Sequence, residues 1–408
     1  MENKIRKLLQ KAVKTPYYSN LWGKVSGDLF LKFNTLPLAD KTLFSPKDIK
    51  CSLAVDSKKI SQYYFSSGTT GDPKIFPLTN QDWKKRTKYR KKCYELIGIT
   101  KKNKVIVMLP FGPWVAGPLA QAALMELRCT VFPVGDLNEE EEIKGLFQII
   151  KRSDINVIIT APSFLERFLE VYKKAGQDFS IEKIITSGEY ISKELKKEVA
   201  SLLGAKTYSS YATSEAFIGI ECENENGFHY DPKEVKIEIV DKKGNQKESG
   251  IIITVISSDA VPIVRYKIDD IGVIENETCS CGIRWPRIKW EGRIGGVFVV
   301  AGAVNVGPKQ IYSAISQSGL LISGCGIEIT DNKIKGGDLI KFTFFTSVST
   351  EYWPQNIHKK LKKLLENMSI DFKDVTHHKL VRIKVDVLFD EKSKRRVKEV
   401  YKQSPCKI

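Results

Sequence analysis

The chain has 408 residues, with 65 Lys and Arg against 48 Asp and Glu for a formal charge of +17, and 42% of its residues are hydrophobic. This is an ordinary globular composition, long enough for two or three domains with a large core, and no apolar run approaches the roughly 18 residues that cross a bilayer. The first twenty residues hold no apolar signal core, which leads to the expectation of a cytoplasmic protein without a membrane partner, and eight cysteines in so long a chain do not describe a disulfide scaffold.

In chain order, Gln62-Tyr63-Tyr64-Phe65 has the aromatic, β-prone composition of a strand feeding a turn. SSGTTGDPK follows at 66–74. Gly68 and Gly71 let the backbone bend and uncover its N–H groups, Ser66, Ser67, Thr69 and Thr70 add hydroxyls, and Lys74 adds a charge, which together make the inventory of a phosphate cradle. It is not the nucleotide loop G-x-x-x-x-G-K-[ST], because the lysine follows Gly71 by three positions and no Ser or Thr follows it. KKRTKYRKKCYEL at 84–96 reads as a helix with a solvated basic face. Neither this run nor the total charge carries an RNA-binding aromatic motif, a recognition helix or a nucleic-acid zinc finger, so nucleic acid is not the expected partner.

Apolar runs then alternate with amphipathic segments: NKVIVMLPF, VAGPLAQAALMELR, CTVFPVG, EEIKGLFQIIKRS, INVIITAP, SFLERFLEVYKKAG and IEKIITSGE. Such alternation predicts parallel βαβ units, whose ligands sit beyond the carboxyl ends of the strands. Both SSGTTGDPK and ITSGEY at 185–190, with Gly188 and Glu189, follow strands in this way. After residue 220 shorter strands, VKIEIV, GIIITVIS and GVIENE, predict a β subdomain. A boundary falls near Gly292 to Gly296, followed by strand GVFVV, helix PKQIYSAISQSG, strands GIEIT and LIKFTFFTS, helix PQNIHKKLKKLLENM and strand KLVRIKVDVLF. The expected fold is therefore α/β, with a large N-terminal domain of mixed and parallel sheets plus a β subdomain over 1–294, and a small α+β domain over 295–408.

The order of motifs carries a family resemblance. After the phosphate loop come YSSYATSEA at 208–216, VPIVRYKIDDIG at 261–272, WEGRIGG at 290–296 and the basic loop DEKSKRRV at 390–397. Together these resemble the core motifs of the adenylate-forming superfamily, whose members activate a carboxylic acid with ATP to an acyl adenylate. LPLADK at 36–41, a short N-terminal part, and ECENENGFHYD followed by CSCGIRWPRI look more narrowly like the phenylacetate-CoA ligase branch. The resemblance implies a mobile small domain, ATP and Mg²⁺ as cofactors, and a small-molecule carboxylic acid as substrate.

It also implies roles. Thr69, Thr70 and their loop hold the departing phosphates, Glu215 binds Mg²⁺, Tyr211 packs on the adenine, and Thr213 and Ser214 lie beside the α-phosphate. Asp270 matches the aspartate that grips both ribose hydroxyls, with Asp269 standing where relatives have glycine, and Arg293 matches the junction arginine. Lys392 fits the lysine that bridges acyl carboxylate and nucleotide, with Lys394 as the alternative. By the same analogy Phe111, Trp114 and Phe217, with Tyr211, wall an aromatic acyl pocket suited to an aryl or arylacetic acid.

Cys222, His229, Cys279 and Cys281 form a separate constellation. Three thiolates and an imidazole are a tetrahedral zinc set, and relatives carry the same residue types here; with four protein ligands the metal is structural. The stretch GRIGGVFVV departs from the family, with Gly295 and Gly296 in place of a polar hinge residue. Adenylation does not depend on that residue, so the acceptor in the second half-reaction stays open between coenzyme A, phosphopantetheine on an acidic acyl or peptidyl carrier protein, and an amine. The altered hinge and Ala212 in YATSE, where relatives often have glycine, keep a third reading open, a nucleotide-binding or carrier-docking homologue without turnover. Oligomeric state is open, a homodimer included.

Overall fold

The computed structural model describes residues 1–23, 25–66, 74–135, 137, 139–242, 245–293, 298–300, 304–306, 311, 315, 317–318, 324–330, 338–346, 353, 355–367, 381–389 and 400–403. The chain divides into two compact units: Met1–Glu189 with Val199–Trp290, and Tyr190–Glu198 with Glu291–Ile408.

The helices are α1 (Glu2–Ala12), α2 (Pro16–Trp22), α3 (Ile49–Ser52), α4 (Asn80–Leu96), α5 (Ala116–Glu126), α6 (Glu140–Arg152), α7 (Pro162–Lys174), α8 (Lys193–Leu203) and α9 (Ile357–Glu366). In the first unit the strands are β1 (Ile60–Phe65), β2 (Ile75–Thr79), β3 (Lys104–Met108), β4 (Thr130–Pro133), β5 (Val157–Thr160), β6 (Lys183–Ser187), β7 (Lys206–Ala212), β8 (Phe217–Glu221), β9 (Phe228–His229), β10 (Val235–Lys242), β11 (Asn245–Val255), β12 (Ile263–Glu275) and β13 (Arg287–Arg293). All but the β1–β2 hairpin join one eleven-stranded sheet in the order β10-β11-β12-β13-β9-β8-β7-β6-β5-β3-β4.

Half of that sheet is the expected parallel array. β4, β3, β5, β6 and β7 are parallel neighbours. Helices α5 to α8 lie between consecutive strands in sequence, the connection that parallel pairing requires. VIIT of β5 is buried throughout, which is why these strands read as unbroken apolar runs rather than as alternation. From β8 onward the pairing turns antiparallel, as the shorter strands predicted. The strand expected over GVIENE is the end of a longer one, because β12 runs from Ile263 to Glu275. One close approach needs a glycine: a Cβ on Gly219 of β8 would run into the carbonyl oxygen of His229 on β9.

Helix α4 shows how the basic stretch folds. Thr79 and Asp82 form a capping box: Thr79 Oγ1 accepts from the Asp82 N–H at 3.0 Å, and Asp82 Oδ2 accepts from the Thr79 N–H at 3.1 Å. This satisfies two of the donors left over at a helix start and stabilises by about 1 kcal/mol. Lys84, Lys88 and Lys92 face solvent, while Thr87, Tyr89, Arg90, Cys93 and Tyr94 are buried.

The second unit contains a hairpin of β14 (Phe298–Val300) and β15 (Val304–Val306), and a four-stranded sheet of β16 (Gly324–Thr330), β17 (Asp338–Thr346), β18 (Val381–Phe389) and β19 (Val400–Gln403). Its order is β18-β17-β16-β19. The β16–β17 pair is antiparallel, and both outer pairs are parallel. Phe342 and Phe344 are fully buried, and α9 buries Ile357, Leu361 and Leu365, one stripe at four-residue spacing. The helix expected over PKQIYSAISQSG lies largely outside the described residues. Among the described residues no helix is long and apolar enough to cross a membrane.

Candidate active site

The site is built from the ends of β1 and β7, the start of β2 and the interior of β12. The Ser66 N–H donates to the Lys74 carbonyl at 3.1 Å, and the Lys74 N–H donates to Ser66 Oγ at 3.0 Å. These two bonds tie together the ends of the segment expected to be the phosphate loop, on the β1–β2 hairpin, with Phe65 opposite Ile75. Ser67, Gly68, Thr69, Thr70 and Gly71 lie outside the described residues.

Lys74 leaves that base toward a buried carboxylate. Its Nζ donates to Glu215 Oε1 at 2.8 Å and to the Tyr266 hydroxyl at 3.1 Å, and the Tyr266 hydroxyl donates to the same Glu215 oxygen at 2.9 Å. The Glu215 side chain is 5% exposed and that of Lys74 28%. Burial pushes the Glu215 carboxyl up, but the Lys74 charge and hydrogen bond, with smaller help from Tyr266, outweigh it and hold the group below the usual carboxylate range. Arg86 of α4 fixes the turn from behind, donating to the backbone carbonyls of Ser214 at 3.3 Å and Glu215 at 2.8 Å. The same turn is folded by Thr213, whose N–H donates to the Ala216 carbonyl at 2.8 Å and whose Oγ1 accepts from the Ala216 N–H at 3.2 Å.

A second buried pair lies across β7 and β12. The Tyr211 hydroxyl donates to Asp270 Oδ2 at 2.6 Å, and both residues are 8% exposed. Asp269, the neighbouring carboxylate, is exposed, since successive residues of β12 face opposite ways. Of the remaining expected residues, Gly188 has φ +88 with nothing near where a Cβ would stand. Glu189 accepts from the Ser163 N–H and from Ser163 Oγ, both at 2.9 Å, at the start of α7. Phe217 is buried against α4, 5.8 Å edge-on from the Tyr89 ring and 4.8 Å from the Arg90 guanidinium, whereas Phe111 is half-buried and Trp114 is 38% exposed. The Arg293 side chain, Lys392 and Lys394 lie outside the described residues.

Sequence reasoning missed Tyr266 and Arg86. An aromatic residue in a strand and an arginine in a basic helix carry no signal of their own, and only their partners in space distinguish them.

The cysteine and histidine set comes together. One donor atom each from Cys222, His229, Cys279 and Cys281 lies within 4.8 Å of the others. Cys222 Sγ is 3.7 Å from Cys279 Sγ, and Cys281 Sγ is 3.4 Å from His229 Nε2. A tetrahedral zinc with its usual bond lengths has sulfur–sulfur edges of about 3.8 Å and sulfur–nitrogen edges of about 3.6 Å, so the donor set fits the ion. Surrounding groups orient it: His229 Nδ1 is 2.9 Å from the Trp285 carbonyl, the Asn224 amide donates to Cys279 Sγ at 3.3 Å, and the Ile283 N–H donates to Cys281 Sγ at 3.4 Å.

Residues 25–253 match the model of the AMP-binding enzyme family, and the chain belongs to that family. Within it the chain is of the phenylacetate-coenzyme A ligase-like branch. It is 25% identical over 275 residues to the phenylacetate-coenzyme A ligase of Thermus thermophilus, covering 64% of this chain and 61% of that one, and 24% identical over 277 residues to the Escherichia coli ligase. The chain thus spans about 61–62% of the length of these relatives. A crystal structure of 2-hydroxyisobutyryl-CoA ligase in the postadenylation state superimposes with a TM-score of 0.78 at 18% identity, covering 98% of this chain and 87% of that one. Anthranilate CoA ligase bound to anthranoyl-AMP gives 0.60 at 13% identity, covering 83% and 66%. The fold is that of adenylate-forming ligases.

Proposed function

We propose that this chain uses ATP to convert a carboxylic acid, of the aryl or arylacetic class, into an acyl adenylate, and passes the acyl group to the thiol of coenzyme A. The observation that carries the reading is the ionised, buried Glu215 held by Lys74 at the base of the phosphate loop, beside the Tyr211–Asp270 pair. The relatives named as phenylacetate-coenzyme A ligases support the substrate class and the acceptor.

In the first half-reaction a carboxylate oxygen attacks the α-phosphorus, the bond to pyrophosphate breaks, and the mixed anhydride with AMP forms. In the second, the thiol sulfur attacks the acyl carbon, AMP leaves, and the thiol proton is lost. Both steps need anionic oxygens held together in one geometry. The hydroxyls and N–H groups over 66–71 are assigned to the departing phosphates, Asp270 to the ribose diol and Tyr211 to its positioning and to the base. Lys74 sets the charge state of Glu215 rather than facing the phosphates alone. A buried ionised carboxylate fits Mg²⁺, which keeps waters and takes one or two carboxylates, so Glu215 would hold the ion; when bound, it neutralises charge on the phosphates. Lys392 and Arg293 are the proposed contributions of the second unit. Zn²⁺ would sit among Cys222, His229, Cys279 and Cys281 and pin two β segments, with no open position for chemistry. The cytoplasm, which holds both ATP and coenzyme A, is the proposed location.

The test is acid-dependent exchange of pyrophosphate into ATP over aryl, arylacetic, aliphatic and amino acids, followed by mass spectrometry of products with coenzyme A or an amine. Exchange confined to aryl or arylacetic acids with a thioester product is expected. An amide product would overturn the acceptor, and silence with every acid the activity.

A further inference from the structure

The strand that carries Tyr266 is irregular at two points, one on each side of it: beyond the tyrosine the register passes from Lys267 opposite Ile252 to Ile271 opposite Gly250, and the second irregularity precedes the tyrosine. Between β11 and β12 the register passes from Ile253 opposite Tyr266 to Val255 opposite Ile263, so β12 holds one residue more than its partner. Arg265 sits in that bulge at φ +45, the left-handed region that side chains other than glycine adopt at a cost. Four contacts hold it there. Its Nε pairs with Glu238 Oε1 at 3.1 Å with both side chains buried or nearly so, and its Nη1 donates to the Leu36 carbonyl. Its N–H donates to Thr254 Oγ1 at 2.9 Å, and its carbonyl accepts from the Ala39 N–H at 3.0 Å. On the other side of Tyr266, the Lys267 N–H donates to the Ala39 carbonyl at 2.8 Å. The segment LPLADK thus grips β12 on both sides of one tyrosine.

That tyrosine is 1% exposed, and its ring meets Phe44 edge-on at 5.5 Å. Packing alone would be served by phenylalanine. The hydroxyl has two partners, Lys74 and Glu215, and bulges recur where a side chain must be re-aimed beside a site. We propose that Tyr266 is a positioning residue of the adenylation site: the bulge at Arg265 aims its hydroxyl at Glu215, and with Lys74 it holds that carboxylate in one orientation toward the metal–nucleotide complex. The inference rests on the function proposed above.

Tyr266→Phe removes one oxygen and leaves the ring. Calorimetric titration with Mg·ATP, and with ATP in EDTA, is expected to show a roughly ten-fold loss for Mg·ATP and less than about two-fold for ATP alone, the size of one hydrogen bond to a charged group. In a Glu215→Gln background the same change should add less than about two-fold. Equal losses with and without metal, or a full loss in the Glu215→Gln background, would overturn the proposal by making the hydroxyl merely structural. Arg265→Gly and Arg265→Ala both lose the Glu238 pair but differ in tolerating φ +45, so Arg265→Ala should bind Mg·ATP more weakly; equal affinities would refute the role of the bulge. Wild-type protein that binds no Mg·ATP would overturn the functional reading. The Tyr266→Phe and Glu215→Gln cycle in urea then decides the positioning alone: about ten-fold coupling in the unfolding constant is expected, and none would overturn it.

Discussion

Replacing Lys74 by methionine tests the electrostatic centre directly. At 2.8 Å and an effective dielectric of about 20, the attraction of Lys74 for Glu215 is about 6 kcal/mol before desolvation is counted. Removing one partner of a buried pair costs about 3–5 kcal/mol, because the survivor is left as an uncompensated charge. The low end applies here, since the lysine side chain is 28% exposed and Tyr266 still donates to the carboxylate. Lys74→Met should therefore destabilise the first unit by about 3 kcal/mol, or about a hundred-fold in its unfolding constant. The charge, not the packing, is responsible, so Lys74→Met with Glu215→Gln should recover more than half of that loss. Urea unfolding followed by tryptophan fluorescence at neutral pH measures the wild type and both variants. A single variant within 1 kcal/mol of wild type, or a double variant no better than the single, would refute the reasoning.

Metal analysis of purified protein should give one zinc per chain, and Cys281→Ser should lose the metal and a large part of the thermal stability; a metal-free protein of unchanged stability would remove zinc from the account. Tyr211→Phe frees Asp270 of a 2.6 Å hydrogen bond and should raise the KM for ATP several-fold more than it lowers kcat, read by pyrophosphate exchange, since the pair is assigned to the ribose and base. Asp259 joins α1 to the turn before β12: burial pushes its carboxyl up, but bonds from Lys11 and Thr79 hold it below the usual range. A depressed carboxyl contributes stability that is present above its unfolded pKa near 3.8 and lost as the pH falls through the lower folded value. Lys11→Met should flatten the dependence of the urea midpoint on pH below about 5, and an unchanged slope would show that Asp259 is not held this way.

Features that repeat locally or depend on composition could be read from the residues alone. The parallel βαβ run was legible because strands buried on both faces must be continuously apolar, as VIIT is. The candidate phosphate loop stood out in the sequence by its glycines and hydroxyls, and the Cys222, His229, Cys279 and Cys281 set, which the fold brings together, by its residue types. The motif order led to the family before any coordinate. Pairings between residues far apart in the chain emerged with the fold: Lys74 with Glu215, Tyr211 with Asp270, and Tyr266 with both members of the first pair. β19 escaped notice for the same reason, since VYKQ is a strand only through its parallel pairing with β16. Arg265 reads as one more basic residue until the register on each side shows that β12 must absorb an extra residue there. Local propensity is a sum over neighbours in sequence, whereas the ionisation of Glu215 and the aim of Tyr266 are set by charges and donors that meet only after the sheet has closed around them.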